Sequence, residues 1–527
     1  MFRRSHHHGR PSPRPHRVPA PRIVIGLAVA VLAGVVVSCG EPDPPPPPPI
    51  TQVAITTSPG LFPTFSADTI DYVVRCTGAP IHVVVDAPDD HPISIDDQPA
   101  ATGHLEADVN RTEGQAFQIV DQSLLRVYSV RCLPYDYPNF TVSGHGQQAE
   151  YYLTAPFGLG LPLSPEYITI FDRNGVPVWW SKTRQPVNFA TRFSDGNLGL
   201  VRFDDQPSEV FSLLPPVTVR QVASNAQPPG AIYDNHDVLL LPNGHYVYVY
   251  NYRRTMDASG AFPSHTDDTS LHNATVLDHV LVEIDARGNP VWSWDAADHI
   301  APSEMDPQWE DDVYTTPHPD GYDVFHWNSV EATPSGFLLS FRHLDAVFAI
   351  TKDPGQGDDG EVEWKLGGSP RAESLTVAAD PVFSGASHFG GQHDARRLSD
   401  GTITLHDNGS GLGRAPRGVR YRLALNSPVG TGGTATLIEQ VSDSADVPSS
   451  FCCGSARRLP GGNWLFGFGG TGVIAEVAST GDLNRPDGTV VFRIVYDAPV
   501  VEYRTEPIQA GALNWFVLRL SMDAQNP

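Results

Sequence analysis

Five units of the chain share one turn pattern, and this repeat limits the folds that the chain can adopt. In each unit a strand-like segment leads into a glycine turn, and an apolar strand-like segment follows. Several units add a further strand pair that ends in a valine and tryptophan strand, such as the run from Pro290 to Trp294. Repeated multi-stranded units of this kind are typical of β-propeller blades. The turn glycines are Gly196, Gly244, Gly336, Gly401 and Gly462.

The repeat predicts an all-β protein with a six-bladed β-propeller over residues 149–520. The segment 149–187 supplies part of a sixth unit, and the alternating apolar residues from Val500 to Leu520 could complete it. The wider interval between Gly244 and Gly336 leaves a seventh blade open, but we interpret its acidic stretch 299–322 as a surface insertion beside the mouth. The 47 glycines, 49 prolines and 18% charged residues agree with short strands and many turns.

A smaller β domain precedes the propeller. Residues 51–135 contain short segments in which apolar and polar residues alternate, and this pattern predicts a β-sandwich. The stretch from Ser58 to Pro63, followed by the run from Asp71 to Val74, loosely resembles bacterial cadherin-like repeats.

The cysteines after the leader form two groups. Cys76 and Cys132 each close a strand-like run in the small domain, so we expect a disulfide between them. Cys452 and Cys453 are adjacent, and here both a strained vicinal disulfide and two free thiols remain open.

The first 39 residues have the layout of an export signal. A basic leader is followed by a short apolar run from Ile23 to Val37, and then by Val36-Val37-Ser38-Cys39, which resembles a bacterial lipobox. We expect Cys39 to be acylated, and residues 40–50 to form a stiff polyproline linker. The expected location is extracytoplasmic, lipid-anchored to the cell envelope in the periplasm or at the outer membrane. A plain secretory signal or membrane anchor is the alternative.

Polar residues recur at one position of the repeat. Eight residues before the turn glycines stand Asn188, His236, Asn328, His393 and Gly454. His326 lies two residues before Asn328, and side chains two residues apart on a strand point to the same face. We therefore expect imidazoles and amides from several blades to meet in one site.

Four short motifs in consistent order resemble the bacterial arylsulfate sulfotransferase family over about residues 149–500. They are Phe325 to Val330, Ser340 to Asp345, Val362 to Gly368, and the stretch from Gln392 to Gly409. The resemblance implies a six-bladed propeller behind a small amino-terminal β domain. It also implies transfer of a sulfuryl group from a phenolic sulfate ester to a phenolic acceptor, without a nucleotide donor (PAPS-independent), through a sulfohistidine.

The resemblance assigns a role to each site residue. His393 would be the nucleophile, with its side chain at the open mouth of the propeller. His236 and His326 would flank the sulfuryl and bridging oxygens, Arg342 would bind the sulfuryl charge, and Asn328 would be a supporting donor. Imidazole is a good nucleophile near neutral pH, and fixed N–H donors stabilise charge on the oxygens in flight. No cofactor and no metal are expected.

Two other functions remain open. His236, His326 and His393 could instead bind a metal ion, although Arg342 would be an unfavourable cationic neighbour. The chain could also be a non-catalytic surface binding lipoprotein, which would leave the recurring polar residues unexplained. Binding to nucleic acid is not expected at a formal charge of −25.

Replacing Cys39 by Ala tests the lipid anchor. We expect wild-type protein to sediment with membranes, because the apolar run that precedes Cys39 is followed at once by the acylation site. Cys39→Ala should be released or should accumulate as precursor, as judged by fractionation and immunoblotting. Wild-type protein that is fully soluble with its leader intact would contradict this prediction.

Overall fold

The computed structural model describes residues 50–158, 166–183, 187–357, 359–383, 388–497 and 499–525. The predicted leader, Cys39 and nearly all of the polyproline linker lie outside these residues. Strands dominate the described chain, and the protein is all-β, as predicted. No helix in these ranges is long and apolar enough to cross a membrane.

The first eight strands form two sheets that share one apolar core. Strand order is β1-β4-β6 in one sheet and β2-β3-β8-β7-β5 in the other. Buried and less buried residues alternate along β4, which is the pattern of a strand with one face on a core. The strands are β1 (Ala54–Ser58), β2 (Leu61–Phe62), β3 (Asp71–Arg75), β4 (Ile81–Ala87), β5 (Ile93–Ile95), β6 (Gly103–Val109), β7 (Ala116–Asp121) and β8 (Arg126–Leu133).

Cys76 and Cys132 form the expected disulfide. Strand β3 runs parallel to β8, and this pairing brings the end of β3 beside Cys132. The bridge closes a loop with a sequence separation of 56 residues, and both cysteines are buried in the shared core.

Six further sheets of four or five strands follow within the described residues, and we interpret them as the blades. Strand β9 (Phe140–Gly144) belongs to the last of these sheets, and β11 (Phe157–Gly158) pairs with a late strand in a separate two-stranded sheet. The first two sheets contain β10 (Tyr151–Thr154), β12 (Tyr167–Asp172), β13 (Pro177–Lys182), β14 (Val187–Arg192), β15 (Leu198–Arg202), β16 (Glu209–Phe211) and β17 (Val219–Gln221). The next two comprise β18 (Ile232–Leu240), β19 (Tyr246–Met256), β20 (Ala274–Ile284), β21 (Pro290–Asp295), β22 (Trp327–Ala332), β23 (Gly336–Phe341), β24 (Ala346–Thr351) and β25 (Val362–Gly367).

The remaining strands complete the fifth and sixth sheets and return to the first one. They are β26 (Leu375–Ala378), β27 (His393–Arg397), β28 (Ile403–Asp407), β29 (Arg417–Leu425), β30 (Gly433–Ser442), β31 (Ser455–Arg458), β32 (Trp464–Gly467), β33 (Val473–Ala478), β34 (Thr489–Tyr496), β35 (Val500–Val501) and β36 (Glu506–Ile508).

Each of these sheets is ordered along the chain. The orders are β14 to β17, β18 to β21, β22 to β25, β27 to β30 with β26 added, and β31 to β34 with β9 added. The predicted turn glycines all lie at the turn between the first and second strand, and four of them have positive φ, which glycine adopts without strain. First strands of neighbouring sheets contact one another, so they lie innermost.

The carboxy-terminal segment joins the first sheet. Strand β36 pairs with β10, with Tyr151 opposite Ile508, in the order β36-β10-β12-β13. The expected strand at Phe516 to Leu520 is wrong, because this segment is a helix. Leu518 and Met522, four residues apart, are buried while Phe516 and Leu520 are exposed, and this is a helical period.

The helices are few and short. The insertion between β21 and β22 forms two of them and several single turns, and it buries Trp309 and Val313 in an apolar core. The α-helices are α1 (Ala296–His299), α2 (Glu310–Thr315) and α3 (Trp515–Gln525), and the 3-10 turns are Ser259–Ala261, Thr269–Asn273, Pro302–Glu304 and Pro307–Trp309.

Removing the disulfide should destabilise the small domain. We expect the double variant Cys76→Ala, Cys132→Ala to lose about 4 kcal/mol of unfolding free energy, because a loop of this length restricts the unfolded chain by that order. Urea unfolding followed by tryptophan fluorescence and circular dichroism would measure the loss. An unchanged transition would contradict the prediction.

Candidate functional site

The repeated polar position holds two kinds of residue with two different tasks. Asn188 and Asn328 each donate a hydrogen bond from Nδ2 to the main chain of the next sheet, to Asn235 O at 2.6 Å and to Gln392 O at 2.7 Å. Each acceptor directly precedes a site histidine. Asn328 is fully buried, so we correct its expected role from substrate donor to a residue that positions the strand of His393.

Asp237 directly follows His236, and Asp394 directly follows His393. Both aspartates bind arginines. Asp237 accepts from Arg504 at 3.0 Å and from Arg396 at 3.2 Å. Asp394 accepts from Arg396 at 2.9 Å and from Arg457 at 2.6 Å. The arginine partners come from distant parts of the sequence, so no spacing along the chain indicated this network.

His236 and His326 lie side by side. Their ring centroids are 5.2 Å apart, and their side chains remain 16% and 27% exposed. The Nδ1 atom of His236 is 2.9 Å from Asp234 Oδ1, and that of His326 is 2.6 Å from Asp323 Oδ2. Each carboxylate therefore fixes one nitrogen and leaves Nε2 available to a ligand.

A buried relay connects these two carboxylates. Asn251 donates to Asp234 Oδ2 at 3.1 Å and presents its Oδ1 to His279 Nδ1 at 2.7 Å, while His279 Nε2 lies 3.1 Å from Asp323 Oδ1. Both nitrogens of His279 thus face acceptors, so its ring donates twice and is an imidazolium. Burial alone would lower the pKa of His279, but the hydrogen bond to Asp323 and the nearby carboxylate charges raise it.

Arg342 is fixed by an aromatic ring and by a neutral imidazole. Its guanidinium lies 3.9 Å from the centroid of Trp309, and it donates to His343 Nε2 at 2.6 Å. His343 Nδ1 donates in turn to Asp323 O at 2.6 Å. Burial, and then the positive charge of neighbouring groups, lowers the pKa of His343 well below its usual value. His343 therefore positions Arg342.

His393 is the most buried of the site imidazoles. It is only 2% exposed, which corrects the expectation of a side chain at an open mouth. Its Nδ1 donates to Gly391 O at 2.8 Å and to Asn408 Oδ1 at 3.0 Å, and its Nε2 accepts from Cys453 N at 3.2 Å. Burial, and then the charge of Arg342, lowers its pKa well below 6.5. The ring is neutral at neutral pH, with its lone pair on Nε2.

Tyr503 lies between the histidines. Its ring centroid is 5.9 Å from that of His236 and 6.0 Å from that of His393, and its hydroxyl donates to Asn328 O at 3.1 Å. In the sequence, this tail shows only alternating apolar residues, and they did not indicate a site residue. Cys452 and Cys453, beside His393, are free thiols in the structure.

The alternative metal centre is not formed by the predicted residues. Among the described residues, the groups of three ligand atoms within 4.8 Å are Asp323, His326 and His343, and Asp306, Asp345 and His388. Neither group contains His236 or His393. His236 and His326 instead lie side by side, Tyr503 lies between His236 and His393, and the charge of Arg342 acts on both His326 and His393. A guanidinium beside neutral imidazoles suits an anionic group.

Asp323→Asn should destabilise the protein by roughly 3–5 kcal/mol at neutral pH, because the variant leaves the buried charge of His279 without its partner. Burial alone would raise the pKa of Asp323, but its two histidine partners lower it well below 3.8. Its contribution is therefore present above the unfolded pKa and is lost as the pH falls through the folded pKa. Urea unfolding at several pH values would measure it, with exposed Asp312→Asn as the control. Equal stability of the two variants would contradict the relay.

The similar solved structures have little sequence in common with this chain. A β-propeller domain of Cps50 (Swd1) from Myceliophthora thermophila is 11% identical, with 82% of this chain and 97% of that chain covered and a TM-score of 0.29. A Bacteroides caccae protein of unknown function is 10% identical, with 68% and 99% covered and a TM-score of 0.37. A Lactobacillus plantarum protein is 10% identical, with 80% and 100% covered and a TM-score of 0.36. No curated protein is significantly similar to this chain.

A protein-family model does match the chain. The model describes arylsulfotransferase (ASST), and it matches residues 214–486, which is more than half of the 527 residues. The matched range contains His236, His326, Arg342 and His393. Their geometry and this match agree with the motif resemblance, and the chain belongs to the arylsulfotransferase family.

Proposed function

We propose that the protein transfers a sulfuryl group from a phenolic sulfate ester to a phenol through a sulfohistidine at His393. Family membership supports an aryl sulfotransferase in general. The observation that carries the finer proposal is the state of His393, whose Nδ1–H is fixed by Gly391 O and Asn408 and whose Nε2 keeps its lone pair beside a guanidinium. A neutral, fixed imidazole is the form that a nucleophile requires.

In the first half of the reaction, Nε2 of His393 forms a bond to sulfur while the bond from sulfur to the phenolic oxygen breaks. The Cys453 N–H now donates to Nε2, and it must part from that atom as the new bond forms. We propose that the same N–H then donates to an oxygen of the sulfuryl group on Nε2. The Cys453 N–H would thus have an acceptor both in the free enzyme and in the sulfuryl-enzyme. Fixed donors of this kind stabilise the negative charge on the sulfuryl oxygens during the transfer.

The leaving phenolate takes a proton from the pair formed by His236 and His326. Their rings are close and share one hydrogen-bonded relay, so we assign the proton to the pair and not to one member. After donation the pair is one proton poorer, and it accepts the proton of the incoming phenol. That phenol attacks sulfur, the bond to His393 breaks, and the enzyme returns to its first state.

The charge of the site supports a simple donor. Arg342 is the guanidinium that faces these imidazoles within the described part of the chain, and one guanidinium matches the single negative charge of an aryl sulfate. A nucleotide donor would bring several further phosphate charges to the site. We therefore propose that no nucleotide takes part and that no cofactor is needed for the transfer itself.

We also propose that this activity is located outside the cytoplasm, with the protein held at the cell envelope by a lipid on Cys39. The lipobox-like sequence at Val36 to Cys39 supports this location, and the following prolines would act as a spacer.

His393→Asn tests the proposed nucleophile. Wild-type protein incubated with a labelled aryl sulfate and no acceptor should retain about one acid-labile sulfuryl group per chain, on His393. The variant should lose both the label and turnover. Because His393 is buried, the unfolding temperature of His393→Asn should be measured beside that of His245→Asn. His245 lies in the turn between β18 and β19, and this control variant should retain both label and turnover.

Arg342→Ala should lower kcat/KM by roughly 100-fold or more, as the loss of one oxyanion donor does. Full turnover in folded His393→Asn, or a sulfuryl label on another residue, would contradict the proposed mechanism.

A further inference from the structure

A second cluster of ligand-type side chains lies beside Trp309. Asp306 comes from the insertion, Asp345 from the turn between β23 and β24, and His388 from the segment before β27. Their ligand atoms all lie within 4.8 Å of one another. His388 Nε2 is 3.5 Å from Asp306 Oδ1 and 3.6 Å from Asp345 Oδ2. Three separate segments of the chain thus converge on one point.

The cluster contains two buried carboxylates. Asp306 is 7% exposed and Asp345 is fully buried, and no lysine or arginine among the described residues forms an ion pair with either. Two carboxylates in a protein interior are unfavourable unless a cation neutralises them. A divalent cation would balance both charges.

The distances within the cluster match those between ligands of one metal ion. Hydrogen bonds between nitrogen and oxygen span about 2.7–3.2 Å, so 3.5 and 3.6 Å are too long for them. Ligand atoms bound at about 2.1 Å around a tetrahedral ion lie roughly 3.4 Å apart. The two distances from His388 to the carboxylates are therefore those of neighbouring ligands.

The surroundings of the carboxylates also resemble those of metal ligands, which are normally held by further hydrogen bonds. Asp345 Oδ1 accepts from Gly391 N at 2.7 Å, and Asp345 Oδ2 accepts from Trp309 Nε1 at 3.2 Å. Asp306 Oδ1 accepts from Gln308 N at 3.0 Å. These contacts fix the direction of both carboxylates.

We propose that Asp306, Asp345 and His388 bind one divalent transition-metal ion. One imidazole with two carboxylates suits zinc or manganese, with water in the remaining positions. The metal site also bears on the neighbouring imidazoles, because Trp309 and Gly391 donate to Asp345. The Trp309 ring packs against Arg342, and Gly391 O accepts from His393. The ion would hold these two contacts in place without touching the substrate.

The experiment uses the full protein, freed of metal by a chelator and titrated separately with zinc chloride and with manganese chloride. We expect about one equivalent of zinc or manganese to bind, as measured by calorimetry and by elemental analysis after gel filtration. The unfolding temperature should rise on binding. Neither measurement involves a sulfate donor, so the outcome is independent of the proposed sulfuryl transfer.

His388→Gln and Asp306→Asn should weaken binding by at least roughly tenfold, as the loss of a ligand or its support does. His388 is partly exposed and Asn at 306 retains an oxygen for the Gln308 N–H, so both variants should fold. The control is His326→Gln, which breaks the other group of ligand-type residues and should leave binding unchanged. Absence of zinc and manganese binding in the wild type would overturn the proposal, and so would binding that is lost in His326→Gln but kept in His388→Gln.

Discussion

Arg504 joins the two carboxylates on which the centre of the molecule depends. Its guanidinium lies 3.0 Å from Asp237 Oδ1 and 3.3 Å from Asp394 Oδ1, and all three residues are almost fully buried. Removing one member of such a buried group leaves an unpaired charge, which typically costs about 3–5 kcal/mol. Arg504 also directly precedes the segment that enters β36 and completes the first sheet. Completion of the ring and pairing of the central charges therefore depend on the same few residues.

The ion pairs of Arg504 with Asp237 and Asp394 also orient the site. Asp237 and Asp394 each directly follow a site histidine, so the ion pairs that hold them anchor the strands that carry His236 and His393. Each site imidazole then has Nδ1 bound to an acceptor: His236 to Asp234, His326 to Asp323, and His393 to Gly391 O and Asn408. His393 keeps its Nε2 unprotonated, and His236 and His326 leave their Nε2 atoms free to exchange a proton. Little reorganisation is then required when negative charge develops on a bound group, which is the main source of electrostatic catalysis.

The sequence was sufficient for those features that repeat or that lie close together along the chain. Turn glycines at a constant offset predicted the strand pairs, and the eight-residue interval predicted that His236 and His393 occupy equivalent positions. Contacts between distant segments could not be predicted in this way. The relay through Asn251 and His279 joins three segments, and no spacing within any one of them reveals it.

Three expectations differ from the structure, each for a physical reason. Asn328 shares the register of the histidines, but its amide reaches the main chain of the next sheet, so a shared position did not mean a shared task. His393 was expected at an open mouth, yet the loop of Cys453 covers it, and loop packing has no sequence period. Residues Phe516 to Leu520 alternate like a strand over so short a run that the helical period became visible only in the structure.

The central claim is that every transfer passes through one covalent sulfuryl-enzyme, and a competition between acceptors tests it directly. Two phenols would be offered together to the enzyme with each of several aryl sulfate donors that differ in their leaving group. If a common sulfohistidine forms after the donor's phenol has departed, the ratio of the two sulfated products should be the same for every donor. A product ratio that changes with the donor would mean that donor and acceptor meet in one complex, and would contradict the covalent mechanism.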